Sequence, residues 1–89
     1  MMAQAPKVTI YCTRFCPFCV MARRLLDKKG VSYEEVRVDA EPARRDEMRS
    51  RSGRHTVPQV FVDERHLGGY DELCALDCAG QLDSLLTPR

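Results

Sequence analysis

The apolar positions of this chain alternate between the two-residue period of strands and the wider period of helices. Lys7 to Tyr11 is a β-branched run that predicts a buried strand. From Pro17 to Gly30 the large apolar residues recur at helical spacing, with basic residues on the other faces. Pro17 suits a first helical turn, where no N–H is needed, and Gly30 suits a helix end. The chain is therefore predicted to open with a strand, a loop over Thr13 to Pro17, and a helix.

A second strand and a second helix follow. Tyr33 to Asp39 alternates valines with charged residues and predicts a strand. Asp39 is the predicted cap of a helix that starts near Glu41 and ends near Gly53. Because Met48 is the main large apolar residue of this helix, we expect the helix to pack at the edge of the core.

Two short strands and a last helix complete the pattern. The strands are predicted at Gln59 to Asp63 and from His66, joined by a tight turn at Glu64-Arg65. Asp71 is the predicted cap of the last helix, which Gly80 interrupts before a final apolar turn. The order β-α-β-α-β-β-α predicts an α/β fold with a four-stranded mixed sheet flanked by three helices, its first crossover right-handed.

Composition limits the possible functions. The 89 residues are enough for one domain, expected to span residues 1–89. Fourteen Lys and Arg nearly balance thirteen Asp and Glu, so the net charge predicts binding neither to nucleic acid nor to a membrane surface. The apolar runs are far too short to span a bilayer. Met1 to Pro6 lacks the basic start and apolar stretch of a secretory signal, so the expected location is the cytoplasm.

Five cysteines are many for a chain of this length, and an odd number cannot all pair within one molecule. In a reducing compartment such residues are usually catalytic, metal-binding or buried. Cys16 and Cys19 are three residues apart, between a predicted strand and the first turn of a helix inside a β-α-β unit. In that setting this spacing indicates a redox-active pair.

The position of the pair predicts a role for each sulfur. Only a thiolate attacks a disulfide, and the free N–H groups and dipole at a helix start favour negative charge on Cys16. Arg14 adds positive charge nearby. Cys19 lies one turn inside the helix and is expected to stay a thiol until it resolves the mixed disulfide on Cys16, a step that glutathione performs alternatively.

The residues by themselves also allow other functions of the cysteines. The pair could be buried and structural, or Cys16 could ligate an iron–sulfur cluster. Zinc binding by Cys16, Cys19, Cys74 and Cys78 is disfavoured because the second pair lies along a helix without a surrounding turn, so no metal is predicted. Cys74 and Cys78 are expected to be buried small hydrophobes. Cys12 is either a core thiol or, if exposed, a regulatory one.

Three separated motifs resemble the glutaredoxin family: Thr9 to Cys19, Thr56-Val57-Pro58, and Gly68-Gly69-Tyr70-Asp71. The resemblance extends from Lys7 to Leu86 and is strongest to the short bacterial dithiol type, with Cys-Pro-aromatic-Cys. It implies the thioredoxin fold and a monomeric enzyme that uses glutathione as co-substrate, without a bound cofactor. It also implies disulfide-containing proteins, such as reductases, as partners.

The resemblance also implies a glutathione site. Pro58 matches a cis-proline that faces the cysteines and leaves the Val57 backbone free to pair with glutathione; a trans proline that begins a strand is the alternative. The loop that holds the γ-glutamyl end is matched by Gly69, Tyr70 and Asp71, although Asp71 can instead cap the helix. The implied contacts are Arg14, Phe18, Arg45, Thr56, Val57, Pro58, Gly69, Tyr70 and Asp71.

The chain departs from the family pattern at two positions. Thr13 stands where many relatives carry a lysine, and Arg14 is not an equivalent replacement. Phe18 stands where tyrosine is common. Arg45 matches a position that meets the glycine carboxylate of glutathione, or it lies on a solvated helix face. Two other functions compete with a glutathione-dependent enzyme: a redoxin reduced by thioredoxin reductase, and a carrier of a metal or cluster.

Overall fold

The computed structural model describes residues 6–87, so most of the Met1 to Pro6 segment interpreted above lies outside the described residues. Eight elements follow one another along the chain. They are β1 (Val8–Cys12), α1 (Pro17–Lys28), β2 (Tyr33–Arg37), α2 (Pro42–Ser52), β3 (Gln59–Val62), β4 (Arg65–Gly68), α3 (Tyr70–Cys78) and α4 (Leu82–Leu86). The predicted order is confirmed up to α3. The last predicted helix is two helices, because Gly80 takes a φ of +73° between them, and the sheet is flanked by four helices rather than three.

The four strands form one mixed sheet in the order β2-β1-β3-β4, as predicted. β1 runs parallel to β2 and antiparallel to β3, which in turn pairs antiparallel with β4. Every residue of β1 is buried, in keeping with its central position. Its carboxyl end at Cys12 leads directly into the loop that carries Cys16.

Two apolar clusters cover the two faces of the sheet. Because side chains alternate along a strand, Ile10 and Cys12 face one cluster while Tyr11 faces the other. The first cluster contains buried residues of α1, α3 and α4, and the second contains Met48 of α2. Met48 is fully buried, so α2 covers a second core instead of packing at the edge of the first.

Both predicted aspartate caps are wrong. Asp39 lies in the turn before α2, where its carboxylate accepts hydrogen bonds from the Arg37 guanidinium and from the backbone N–H of Arg14 at 3.1 Å. The residue that precedes α2 is Glu41, with extended backbone and no side-chain cap. Helix α3 begins two residues earlier than predicted, directly after Gly69, so Asp71 is already inside it.

The turn between β3 and β4 is also shifted by one residue. Asp63, and not Arg65, occupies it, with a φ of +54°. Its backbone N–H donates to the Lys7 oxygen at 2.7 Å, and its carboxylate accepts from the Lys7 N–H at 2.9 Å. These contacts attach the turn to the start of β1.

None of the helices within residues 6–87 combines the length and apolar character needed to cross a membrane.

Candidate active site

Cys16 is the residue that immediately precedes α1. Its backbone is extended (φ −87°, ψ 115°), while its carbonyl already accepts the helical hydrogen bond from Val20 N–H at 3.2 Å. Pro17 occupies the first helical position, as predicted. The Cys16 side chain is partly exposed and carries a free thiol. An accessible sulfur therefore sits beside the unpaired N–H groups of a helix start, which favour an anion.

Cys19 lies one turn further along α1 and is fully buried. A hydrogen bond with Cys12, together with burial, raises the pKa of the Cys19 thiol well above its ordinary value. Cys19 also interacts with Cys16. The predicted contrast between an outer and an inner cysteine is confirmed: one sulfur is reachable and the other is covered behind it.

The Val57–Pro58 segment faces the outer cysteine from the entry to β3. The peptide bond between these two residues is cis, as the family resemblance implied. The Cys16 sulfur lies 3.8 Å from the backbone oxygen of Val57. Pro58 is buried, and Val57 packs against both apolar clusters. The backbone of this segment therefore lies beside the Cys16 sulfur.

A cleft of about 240 Å³ begins beside this segment and ends at α3. Seven of the nine residues predicted to bind glutathione line it: Phe18, Thr56, Val57, Pro58, Gly69, Tyr70 and Asp71. The rings of Phe18 and Tyr70 are 6.3 Å apart, centroid to centroid. A larger cleft, about 470 Å³, lies at the other end of α1, around Gly30, and is lined by no cysteine.

The end of the cleft is the N-terminus of α3. Gly69 precedes the helix, and its backbone N–H donates to the Glu72 carboxylate at 2.9 Å. A side chain at Gly69 would place its Cβ 3.2 Å from the Pro58 oxygen, so glycine permits a close approach of the two loops. Asp71 is exposed in the first turn. The first turn of this helix can therefore offer N–H groups to a carboxylate.

The other two predicted contacts, Arg14 and Arg45, are not among the residues that line the cleft. The Arg14 guanidinium lies over the exposed ring of Phe15, 5.2 Å from its centroid. Arg45 is partly buried on α2. Both stay predictions about a bound ligand.

Three cleft residues were not predicted: Arg54, Gln59 and Glu72. The Arg54 guanidinium donates to Glu72, and this contact, after the Gly69 N–H, lowers the pKa of the Glu72 carboxyl. Gln59 donates to the Thr56 oxygen at 3.0 Å. Glu72 follows Gly69 by three residues, a capping spacing that could have revealed it. Arg54 lies in a run of charged residues with no pattern that distinguishes it.

The remaining cysteines differ from expectation in part. Cys12 is fully buried, which removes the exposed regulatory role considered for it. Cys74 is partly exposed and Cys78 exposed, so neither is the buried hydrophobe that was expected. They sit on the outer part of α3, which buries only Leu73. Within residues 6–87, no three His, Cys, Asp or Glu side chains are grouped so that they could hold a metal ion.

This arrangement is that of a thiol–disulfide oxidoreductase: a reachable sulfur at a helix start, a covered sulfur one turn behind it, and a proline segment opposite. The sequence model of the glutaredoxin family matches residues 8–67. The chain belongs to the glutaredoxin family, and its fold is the thioredoxin fold.

Relatives and solved structures agree with this assignment. Glutaredoxin 3 of Escherichia coli K12 is 53% identical over 79 residues, covering 89% of this chain and 95% of that protein. The solution structure of glutaredoxin from Brucella melitensis has a TM-score of 0.84 at 44% identity, covering 97% of this chain and 94% of that one. A buckwheat glutaredoxin–glutathione complex also has a TM-score of 0.84, at 26% identity, covering 91% and 76%.

Proposed function

We propose that this protein is a glutathione-dependent oxidoreductase that reduces protein disulfides and glutathione-mixed disulfides. The observation that carries the proposal is the position of the Cys16 sulfur, between the start of α1 and the backbone of Val57, a residue that lines the cleft ending at α3. Glutathione is a γ-linked tripeptide with a thiol, an extended backbone and carboxylates at both ends. The cleft offers matching chemistry to each of these parts.

In the docking that we propose, the glutathione sulfur approaches Cys16 and its backbone pairs with Val57, as in strand addition. The γ-glutamyl carboxylate reaches the N–H groups that begin α3, and its α-amino group reaches Asp71. Arg14 and Arg45 are the proposed partners of the glycine carboxylate. The solved complex of a buckwheat glutaredoxin with glutathione supports the choice of ligand.

In the proposed reactions with both kinds of substrate, Cys16 attacks first. The Cys16 thiolate attacks the glutathione sulfur of a mixed disulfide, forming a Cys16–glutathione disulfide and releasing the substrate as a thiolate. A second glutathione thiolate then attacks that bond, which restores Cys16 and releases oxidised glutathione. With a protein disulfide, Cys16 attacks one substrate sulfur, and Cys19 displaces the substrate by closing the Cys16–Cys19 disulfide. Two glutathione molecules reduce this disulfide again.

The proposal includes the setting in which this chemistry occurs. We propose a cytoplasmic monomer, with disulfide-containing proteins such as reductases as its partners, contributing to electron transport and redox homeostasis. A reducing compartment suits a chain with five cysteines, an odd number that cannot all pair within one molecule.

A test begins with turnover of a glutathione-mixed disulfide, coupled to glutathione reductase. Cys16→Ser should abolish turnover, and Cys78→Ser, which removes an exposed cysteine of α3, should leave it unchanged. Retention of full activity by the Cys16 variant would contradict the assignment.

A titration with reduced glutathione, followed by backbone amide shifts, tests the docking. Shifts should appear at Val57 and Tyr70 and be absent at Gly30, which lies at the far end of α1. A redoxin that depends on thioredoxin reductase would show no shift at any of the three. That result would refute glutathione dependence while leaving the disulfide chemistry intact.

A further inference from the structure

Gln59 is a polar side chain buried at the first position of β3. Only 1% of its surface is exposed, although it lies in the wall of the cleft. A buried side-chain amide costs free energy unless its donors and its acceptor all find partners. The partners of Gln59 therefore indicate its role.

Both ends of the Gln59 amide are paired. Its nitrogen donates to the backbone oxygen of Thr56 at 3.0 Å and to the hydroxyl oxygen of Thr56 at 3.3 Å. Its oxygen lies 2.6 Å from Nε2 of His66. Because a carbonyl oxygen only accepts hydrogen bonds, the amide nitrogen must face Thr56 and the amide oxygen must face His66. It follows that His66 Nε2 carries a proton and donates it to Gln59.

The His66 ring is held in place by packing. It stacks on Phe61, with the ring centroids 4.9 Å apart. Phe61 lies two residues after Gln59 on β3, so the two side chains leave the strand on the same face, which is that of the second apolar cluster. His66 is not among the residues that line the cleft. A ring fixed outside the cleft thus supports an amide in the cleft wall.

These contacts orient the peptide bond between Thr56 and Val57. Within residues 6–87 only the Val57–Pro58 bond is cis, so the preceding bond is trans. In a planar trans peptide the C=O and N–H groups point in opposite directions. Since Gln59 binds the Thr56 oxygen, the Val57 N–H points away from Gln59. No acceptor within the described part of the chain pairs with this N–H, which leaves it available to a ligand.

We propose that Gln59, supported by His66, is a positioning residue for glutathione, an inference that rests on the docking to Val57 proposed above. Gln59 acts through the peptide that it holds: the Val57 N–H keeps the direction in which it pairs with the glutathione backbone. Thr56 is exposed, so without Gln59 its oxygen would turn toward water. Each binding event would then have to reorder the peptide, which lowers affinity.

The experiment compares two mixed disulfides of one peptide, one with glutathione and one with 2-mercaptoethanol, which has no backbone to pair with Val57. Release of the peptide thiol by excess reduced protein is followed in a single turnover. The unmodified protein should react faster with the glutathione disulfide. Gln59→Met, which keeps the length of the side chain but neither donates nor accepts, should lower this preference about fivefold, the effect of one hydrogen bond. The rate with the mercaptoethanol disulfide should not change.

Two variants of His66 test the support without altering the cleft wall. His66→Phe keeps a ring on Phe61 but removes the donor to Gln59, and it should lower the preference about twofold. His66→Gln places an amide N–H near the position of the ring Nε2 and should retain the preference of the unmodified protein. A purely structural role of the ring predicts the opposite order, because glutamine cannot stack on Phe61.

Two further variants are the controls. Gln81→Met makes the same chemical change at an exposed position, and Val62→Ala removes core volume from β3 on the face of the first apolar cluster. Both should keep the preference, although Val62→Ala should lower the thermal midpoint.

Three outcomes overturn the inference. Gln59→Met and His66→Phe could both keep the full preference, Gln59→Met could slow both disulfides equally, or Val62→Ala could lose the preference as Gln59→Met does. In the first case Gln59 takes no part in recognition, and in the other two it only maintains the fold. An unmodified protein that reacts equally fast with both disulfides would instead refute the proposed use of glutathione.

Discussion

The Cys16 sulfur and the Val57 backbone oxygen lie 3.8 Å apart, although 41 positions separate the two residues along the chain. The contact joins the loop after β1 to the loop before β3, two strands that are neighbours in the sheet. A disulfide that reaches Cys16 must therefore lie close to the Val57 backbone.

Cys19→Ser should separate the two reactions of the enzyme. Turnover of a glutathione-mixed disulfide should persist, because a second glutathione can attack the adduct on Cys16. Reduction of a protein disulfide through the dithiol route should be lost, because no second sulfur remains to displace the substrate. Both activities are measured on the same preparation. Equal loss of the two would show that Cys19 is needed for the structure of the site and not for resolution.

Asp71→Asn should raise the KM for glutathione several-fold without changing kcat. An exposed ion pair contributes up to about 1 kcal/mol, equivalent to a factor of about five in affinity. The thermal midpoint should hardly change, because the Gly69 N–H is bound by Glu72 and not by Asp71. Asp46→Asn, an exposed acid on α2, is the matched control. A large fall in thermal stability with unchanged KM would show that Asp71 stabilises the helix and does not bind glutathione.

Gly68→Ala should destabilise the protein far more than Gly80→Ala. Both glycines have positive φ, +107° and +73°, so both substitutions strain the backbone. A Cβ at Gly68 would also lie 2.6 Å from the Glu72 carboxylate, whereas one at Gly80 meets no heavy atom within 4 Å. We expect a loss of about 1 kcal/mol at Gly80 and about 3 kcal/mol or more at Gly68. Urea unfolding measures both, and equal losses would contradict the crowding at Glu72.

Stability should fall as the pH drops through the ordinary histidine range. Burial, followed by the charge of Arg54, lowers the pKa of His66, which stacks on Phe61 and contacts Gln59. The unfolded chain therefore binds a proton below pH about 6.5 that the folded protein resists, with a slope of at most about 1.4 kcal/mol per pH unit.

The free energy of unfolding should be measured between pH 7.5 and 5.0, above the range in which the lowered pKa values of Glu47 and Glu72 matter. His66→Asn should flatten the dependence in this window. His55→Asn, at an exposed position, should leave it as it is. A slope that survives the first substitution would place the titrating group elsewhere.

Local pattern was enough to predict the order of elements and the position of the reactive pair. The apolar period changes from two to helical spacing at Pro17, and this change places Cys16 outside the helix and Cys19 inside it. Local pattern failed at Asp39 and Asp71, each a sound cap by residue type. Asp39 is engaged by Arg37, and the start of α3 is satisfied by Glu72. Which carboxylate accepts from a given donor depends on the distance between them in the folded chain, and residue type alone does not give that distance.

The sequence by itself determined the elements, the mixed sheet and the two cysteines of the exchange reaction, because these follow from short-range periodicity and from the resemblance of three motifs. Only the tertiary structure placed Arg54 and Glu72 in the cleft, packed Met48 of α2 into a second core, and left Cys78 exposed. It alone brought Cys12 into one buried cluster with Cys19 and within reach of Arg23. Contacts of this kind depend on how α1 and β1 pack face to face, and a one-dimensional pattern does not encode the distance between two side chains.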